Sequence, residues 1–285
     1  MIPVRPLNST LVARCDLPVG DQRRRSRPGV ARSRRPGPGA ELHVSREYEP
    51  GDDPRRIDWN ASARNASLQV RTTTAEVAVD VHLCPSPSPS MRFGTVEQKC
   101  VVVAEALRFI AAIAARRNEQ VFLHLVPGRP VRLPTRRGIG LLEGLLASPP
   151  EWSRTGDLLP VLAGLGPARG PSLVVVTVDV ATSDVEFEAL RVLAATRDVL
   201  AVLVTDPAEL DLPPAGTLRL GPPAGGRDLL IDTADGSLRR RYHDMVAAHL
   251  ERIRSLTHAP GMDLLEISTS GEVEEMLVAQ LPRRR

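Results

Sequence analysis

Ser172-Leu173-Val174-Val175-Val176-Thr177-Val178-Asp179 is the run that decides the fold. No charge interrupts it before Asp179, and β-branched residues dominate it. A short, uninterrupted apolar run of this kind reads as a strand buried on both faces, the central position of a parallel sheet. The neighbouring sequence agrees. Downstream, Val185–Thr196 reads as a helix and Val199–Thr205 as a strand. Leu238–Leu256 reads as a helix, Asp263–Ile267 as a strand and Glu272–Leu281 as a last helix. Upstream, Val77–Leu83 reads as a strand and Thr95–Arg117 as a long helix, with Val102, Ala106, Phe109, Ile110 and Ile113 at helical spacing. Gln120–Val126 reads as a strand that Pro130–Leu133 extends, and Ile139–Ala147 and Leu158–Leu165 as shorter helices. Short strands are expected at Thr217–Leu220 and Leu229–Asp232, inside a Pro/Gly-rich stretch. Strand–helix alternation predicts an α/β fold: an open, mostly parallel sheet with helices on both faces. In such sheets the site lies at the carboxyl ends of the strands. Weight therefore falls on Ser86–Ser90, Thr135, Asp179 and Asp206.

The composition fits. Of 285 residues 42% are hydrophobic but only 3% aromatic, so the core is built from Val, Leu, Ile and Ala. The formal net charge is +3, and Lys99 is the only lysine in a chain that otherwise uses arginine. Cys15, Cys84 and Cys100 are scattered without a CxxC pattern, which argues against a disulfide framework or a structural zinc site. Cys84 and Cys100 read as small buried apolar residues. The start, Met1–Thr10, has no apolar signal region, and no uncharged run approaches the roughly 20 residues of a membrane span. The expected location is cytoplasmic. Residues 1–40 form an Arg/Pro/Gly-rich flexible arm, expected to be extended or disordered because it has little apolar surface to bury, and read as a solvated tail that docks partly on its own domain. Nucleic-acid binding through this arm is one alternative function, although no aromatic residues are interleaved to stack on bases.

A second segment stands out: Arg46-Glu47-Tyr48-Glu49-Pro50-Gly51-Asp52-Asp53-Pro54-Arg55-Arg56-Ile57-Asp58-Trp59-Asn60-Ala61-Ser62-Ala63-Arg64. Five carboxylates and four arginines lie within these nineteen residues. Arg–carboxylate pairs are directional, so the segment reads as an ion-pair knot used for structure or interaction. Trp59 reads as its packing anchor. The catalytic alternative is a metal-dependent hydrolase or nuclease using Asp52, Asp53 and Asp58, with no nucleophilic cysteine beside them.

This segment resembles the signature R-x-Y-x-x-G-D-D-x-R-x-I-D-W-x-x-x-A-R of the domain of unknown function 58 family. Arg46, Tyr48, Gly51, Asp52, Asp53, Arg55, Ile57, Asp58, Trp59 and Arg64 fall on its positions. The resemblance runs from about Gly39 to the C-terminus. It implies a von Willebrand A-like (Rossmann-like) domain over residues 76–285, with a small β-containing signature segment over residues 41–75. It also implies a non-enzymatic adaptor, partnered by a MoxR-type AAA+ ATPase in assembly or remodelling. In von Willebrand A-type domains a D-x-S-x-S-M loop, a Thr and a second Asp hold a magnesium ion. The matching loop here is Pro85-Ser86-Pro87-Ser88-Pro89-Ser90-Met91. Ser88 and Ser90 match the serines, Thr135 the Thr and Asp179 the second Asp, while Ser86 stands where the first Asp belongs. Loss of that carboxylate makes the set vestigial, and neither magnesium nor any other cofactor is expected.

Overall fold

The computed structural model describes residues 6–18, 43–65, 67–73, 79–125, 130–134, 140, 142, 156–168, 170–221 and 228–282. The chain divides into two units, Met1–Arg25 with Val79–Arg285, and Ser26–Ala78. The strands are β1 (His43–Glu47), β2 (Gln69–Thr73), β3 (Asp80–Cys84), β4 (Gln120–Leu123), β5 (Val131–Leu133), β6 (Ser172–Val178), β7 (Asp198–Thr205), β8 (Thr217–Leu220), β9 (Leu229–Asp232) and β10 (Met262–Ser268). The helices are α1 (Ser9–Arg14), α2 (Trp59–Asn65), α3 (Lys99–Arg116), α4 (Leu159–Ala163), α5 (Asp184–Ala194), α6 (Pro207–Leu210), α7 (Gly236–Thr257) and α8 (Val273–Gln280).

The apolar run becomes β6, every residue of which is buried. It sits inside a six-stranded sheet of order β10-β7-β6-β3-β4-β5. All pairings are parallel except β4–β5 at one edge. Taken in chain order, these strands lie 3-2-1-4-5-6, the doubly wound arrangement. The order reverses between β3 and β6, whose carboxyl ends lie side by side with Cys84 opposite Val176. That switch point is where such sheets open a crevice for a ligand.

The period of two along β6 divides its side chains between two cores. Leu173 and Val175 join Val81, Leu83, Phe109, Ile110 and Ile113 on one face. Val174, Val176 and Val178 join Phe187, Leu190 and Ile253 on the other. Each such aliphatic side chain contributes about 1.5–3 kcal/mol on full burial, which is how so few aromatics suffice. Helix α3 is buried along nearly its whole length, because it lies between the sheet and α1 and α8.

Two elements of the larger unit depart from the sequence reading. Ser9–Arg14 lies within the stretch expected to be extended, yet it is a helix. The Asn8 side chain caps it by accepting from Thr10 and Leu11 N–H, and Val12, Cys15 and Leu17 are buried in the core. Arg116 of α3 holds it by donating to the Ala13 and Cys15 carbonyls, each at 2.6 Å. Most of the arginine-rich arm, residues 19–40, lies outside the described residues. Helix α3 begins at Lys99 rather than Thr95, because Thr95 is drawn off to Asp206 through both its N–H and its hydroxyl, each at 2.7 Å. Strands β8 and β9 pair as an antiparallel hairpin. The Ile139–Ala147 helix lies largely outside the described residues.

The smaller unit is an antiparallel pair, β1–β2, followed through by the charged segment. Arg46 stands opposite Val70, and Ile57 bridges to the same residue. Gly51 takes φ +116°, a conformation that L side chains rarely adopt. Trp59 does not anchor this unit: it begins α2 and is 68% exposed, while Ala61 supplies the helix's buried contact.

Candidate functional site

The loop after β3 folds on itself at the switch point. Ser86 N–H donates to Thr177 Oγ1 of β6 at 2.8 Å, tying the loop to the sheet. Ser86 Oγ accepts from Ser88 N–H, and Ser88 Oγ from Ser90 N–H, each at 3.3 Å. Pro89 follows Ser88 and opens a short 3-10 turn, Pro89–Arg92, which its fixed φ favours. The Ser88 and Ser90 hydroxyls lie 2.5 Å apart, and Ser90 Oγ donates to Asp179 Oδ2.

Asp179 is fully buried immediately after β6. Its Oδ2 also accepts from Lys99 Nζ at 2.8 Å. Its Oδ1 accepts from Ala181 N–H at 3.0 Å and from the Thr182 hydroxyl at 3.4 Å. Lys99, the first residue of α3, has no exposed surface and donates a second bond to Glu209 Oε1 at 2.6 Å. Glu209 Oε2 in turn accepts from Asp206 N–H at 3.0 Å. Burial raises the Glu209 carboxyl above the ordinary carboxylate range against the opposing pull of the Lys99 ammonium.

Asp206 follows β7 and is also fully buried. It caps α6 through Ala208 N–H, and it accepts from Thr95 and from the Thr269 hydroxyl at 2.6 Å. Burial pushes its pKa up, but these hydrogen bonds outweigh burial and hold it below the ordinary value. Asp206 is therefore a staple joining the loop before α3 to the ends of β7 and β10. Beside it, the loop from β3 to α3 carries exposed apolar side chains: Phe93 is 42% and Val96 66% exposed.

The structure thus brings together Ser88, Ser90 and Asp179. Thr135 lies outside the described residues. The residues missed in the sequence are Lys99 and Glu209. Their signal was the single lysine of an arginine-rich chain, placed just after the serine loop. The donor set does not suit a magnesium ion. Asp179 uses both oxygens on partners of its own protein, Ser86 supplies no carboxylate, and an ammonium lies against the remaining charge.

The signature carboxylates have a different use. Asp52 accepts from Glu49 N–H, Asp53 caps the 3-10 turn through Arg55 N–H, and Asp58 caps α2 through Asn60 and Ala61 N–H. Arg64 Nε donates to the Asn60 carbonyl at 3.2 Å. Among the described residues no three His, Cys, Asp or Glu gather where they could hold a metal ion. His243 and His249 are taken separately, by Asp211 and by the Val180 carbonyl. Cys84 and Cys100 are buried free thiols, as expected.

Fold and site define a doubly wound α/β protein whose switch point is closed by a serine–aspartate–lysine–glutamate cluster. Residues 44–252 match the family described as Protein of unknown function DUF58, and the chain belongs to that family. It is 31% identical over 261 residues to the Uncharacterized protein Rv1480 of Mycobacterium tuberculosis (strain ATCC 25618 / H37Rv), covering 88% of this chain and 81% of that one. The Uncharacterized protein Mb1516 of Mycobacterium bovis matches equally well. Among solved structures, the conserved hypothetical protein BatB from Bacteroides thetaiotaomicron superposes with a TM-score of 0.43 at 12% identity, over 71% of this chain and 97% of that one. No helix among the described residues is long and apolar enough to cross a membrane.

Proposed function

We propose that this protein is a non-enzymatic adaptor that binds a protein partner through the carboxyl edge of its sheet. The supporting observation is the closed switch point. Its serines, aspartate, lysine and glutamate are hydrogen-bonded to one another, and Ser90, Asp179 and Lys99 are buried, which leaves the cluster little open surface on which to take a substrate. Around it, exposed Phe93 and Val96 offer apolar contact of the kind found at interfaces. The partner class is a MoxR-type AAA+ ATPase, as the family resemblance implies, and the role is assembly or remodelling in the cytoplasm.

The test is co-purification and cross-linking of the full chain with a MoxR-type ATPase from the same genome, with ATP hydrolysis followed alongside. Complex formation that weakens when Phe93 and Val96 are both changed to Ser supports the proposal. Absence of any complex across nucleotide states, together with phosphodiesterase or phosphatase turnover by the pure chain, sinks it.

A further inference from the structure

The Lys99 ammonium stands among oxygens that a divalent cation would need. It lies 2.8 Å from Asp179 Oδ2 and 2.6 Å from Glu209 Oε1, and the same Asp179 oxygen receives the Ser90 hydroxyl. We infer that Lys99 is the resident cation of this site: its ammonium replaces a divalent metal and leaves the cluster metal-independent.

Three observations carry the inference. First, an ionised carboxylate has about four acceptor positions. Asp179 fills that number with Ser90, Lys99, Ala181 and Thr182, so an incoming ion must displace bonds already made. Second, the residue is lysine where the chain elsewhere uses arginine. An ammonium is a compact point charge that can stand where a metal ion would, whereas a planar guanidinium needs a wide fork of acceptors. The pocket leaves Lys99 no exposed surface. Third, Lys99 breaks a local rule. It is the first residue of α3, where the helix dipole disfavours a positive charge. A residue that contradicts its helix is held there by something else, here two carboxylates. Ser86, which takes the place of the missing carboxylate, spends its hydroxyl on its own loop by accepting from Ser88 N–H. The inference concerns the state of the site and stands whether or not the protein is an adaptor.

The experiment titrates the full chain with manganese chloride, read by electron paramagnetic resonance, and follows thermal unfolding with and without magnesium chloride and EDTA. The expected result for the native chain is no specific manganese site tighter than about 1 mM and no shift in Tm with magnesium or chelator. Lys99→Met, which keeps length but removes charge, should lower Tm by roughly 10 °C by leaving buried carboxylates unbalanced. Lys99→Met combined with Asp179→Asn should recover a large part of that loss. A manganese site below 1 mM in the native chain that Asp179→Asn abolishes would overturn the inference. So would an unchanged Tm in Lys99→Met, or a double variant no more stable than Lys99→Met alone. If the variants do not fold, the manganese titration of the native chain decides alone.

Discussion

Lys99 Nζ lies 2.8 Å from Asp179 Oδ2, and both side chains are fully buried. This pair joins the first turn of α3 to the end of β6 across the point where the strand order reverses. Its geometry is specific to an ammonium, so charge alone should not preserve it. Lys99→Arg is expected to destabilise by about 1–3 kcal/mol through overpacking of a pocket with no exposed surface. Urea unfolding measures this, and stability within 0.5 kcal/mol of the native chain, roughly the scatter of neutral surface changes, would contradict it.

Asp206 gathers bonds from Thr95, Thr269 and Ala208. Asp206→Asn keeps the size but replaces an acceptor oxygen with a donor, so at least one of these partners loses its bond. The expected cost is about 1–3 kcal/mol. The folded pKa lies below the unfolded one, so the unfolded chain binds the proton first on acidification. The stabilisation from Asp206 is therefore complete above the ordinary aspartate value of about 3.9 and is lost as pH falls below it. Unfolding free energies at pH 7 and pH 3 should differ less in Asp206→Asn than in the native chain.

His82 Nδ1 on β3 and His124 Nε2, one residue past the end of β4, share a hydrogen bond of 2.9 Å, and His82 stacks on Phe122 at 5.1 Å. Burial lowers both imidazoles to about 4, with the neighbouring imidazole adding to the effect at His82 and the Arg197 charge adding at both. Their folded pKa values lie below the ordinary 6.5, so the unfolded state takes up protons first. Stability is full above about pH 6.5 and falls toward pH 4, by up to about 1.4 kcal/mol per pH unit for each histidine. The native chain should show this slope in urea midpoints between pH 7 and 5. His82→Phe combined with His124→Leu should flatten it; an unchanged slope would show that other groups carry it.

Gln280 of α8 covers the outer edge of β10, donating to the Glu266 carbonyl at 2.7 Å and accepting from Glu266 N–H at 2.9 Å. Uncovered strand edges recruit other chains. Gln280→Ala should cost about 1 kcal/mol and raise self-association, read as a concentration-dependent shift in sedimentation velocity. Sedimentation unchanged from that of the native chain would show that the edge is protected by other means.

Asp58 caps α2 through two backbone N–H groups. Asp58→Ala is expected to cost that helix about 0.5–2 kcal/mol and to speed hydrogen exchange at Asn60–Ser62. Unchanged exchange at these residues would show that the helix does not depend on the Asp58 cap.

Much of the architecture was legible along the chain. The run Ser172–Val178 announces a central strand because burial on both faces demands continuous apolar residues. Periodicity likewise places α5, α7 and α8 to within a few residues. The boundary of α3 was not legible, because Asp206 claims Thr95 from over a hundred positions away. Nor was α1, whose short apolar pattern becomes a helix only against α3 and α8. Trp59 read as an anchor from hydrophobicity alone, but the start of α2 leaves it in solvent.

The sequence by itself determined the open, mostly parallel α/β class, the family through the Arg46–Arg64 segment, and the serine loop with Asp179 as its candidate partner. Strand ends and local motifs follow from nearest-neighbour chemistry, which a sequence records. Only the tertiary structure decided that Lys99 and Glu209 complete the cluster and that the signature carboxylates cap backbone N–H groups. Lys99 meets Asp179 and Glu209 because parallel strands carry residues 80 and 110 positions away to one edge of the sheet. Pairing at that separation depends on strand order and register, which no local pattern encodes.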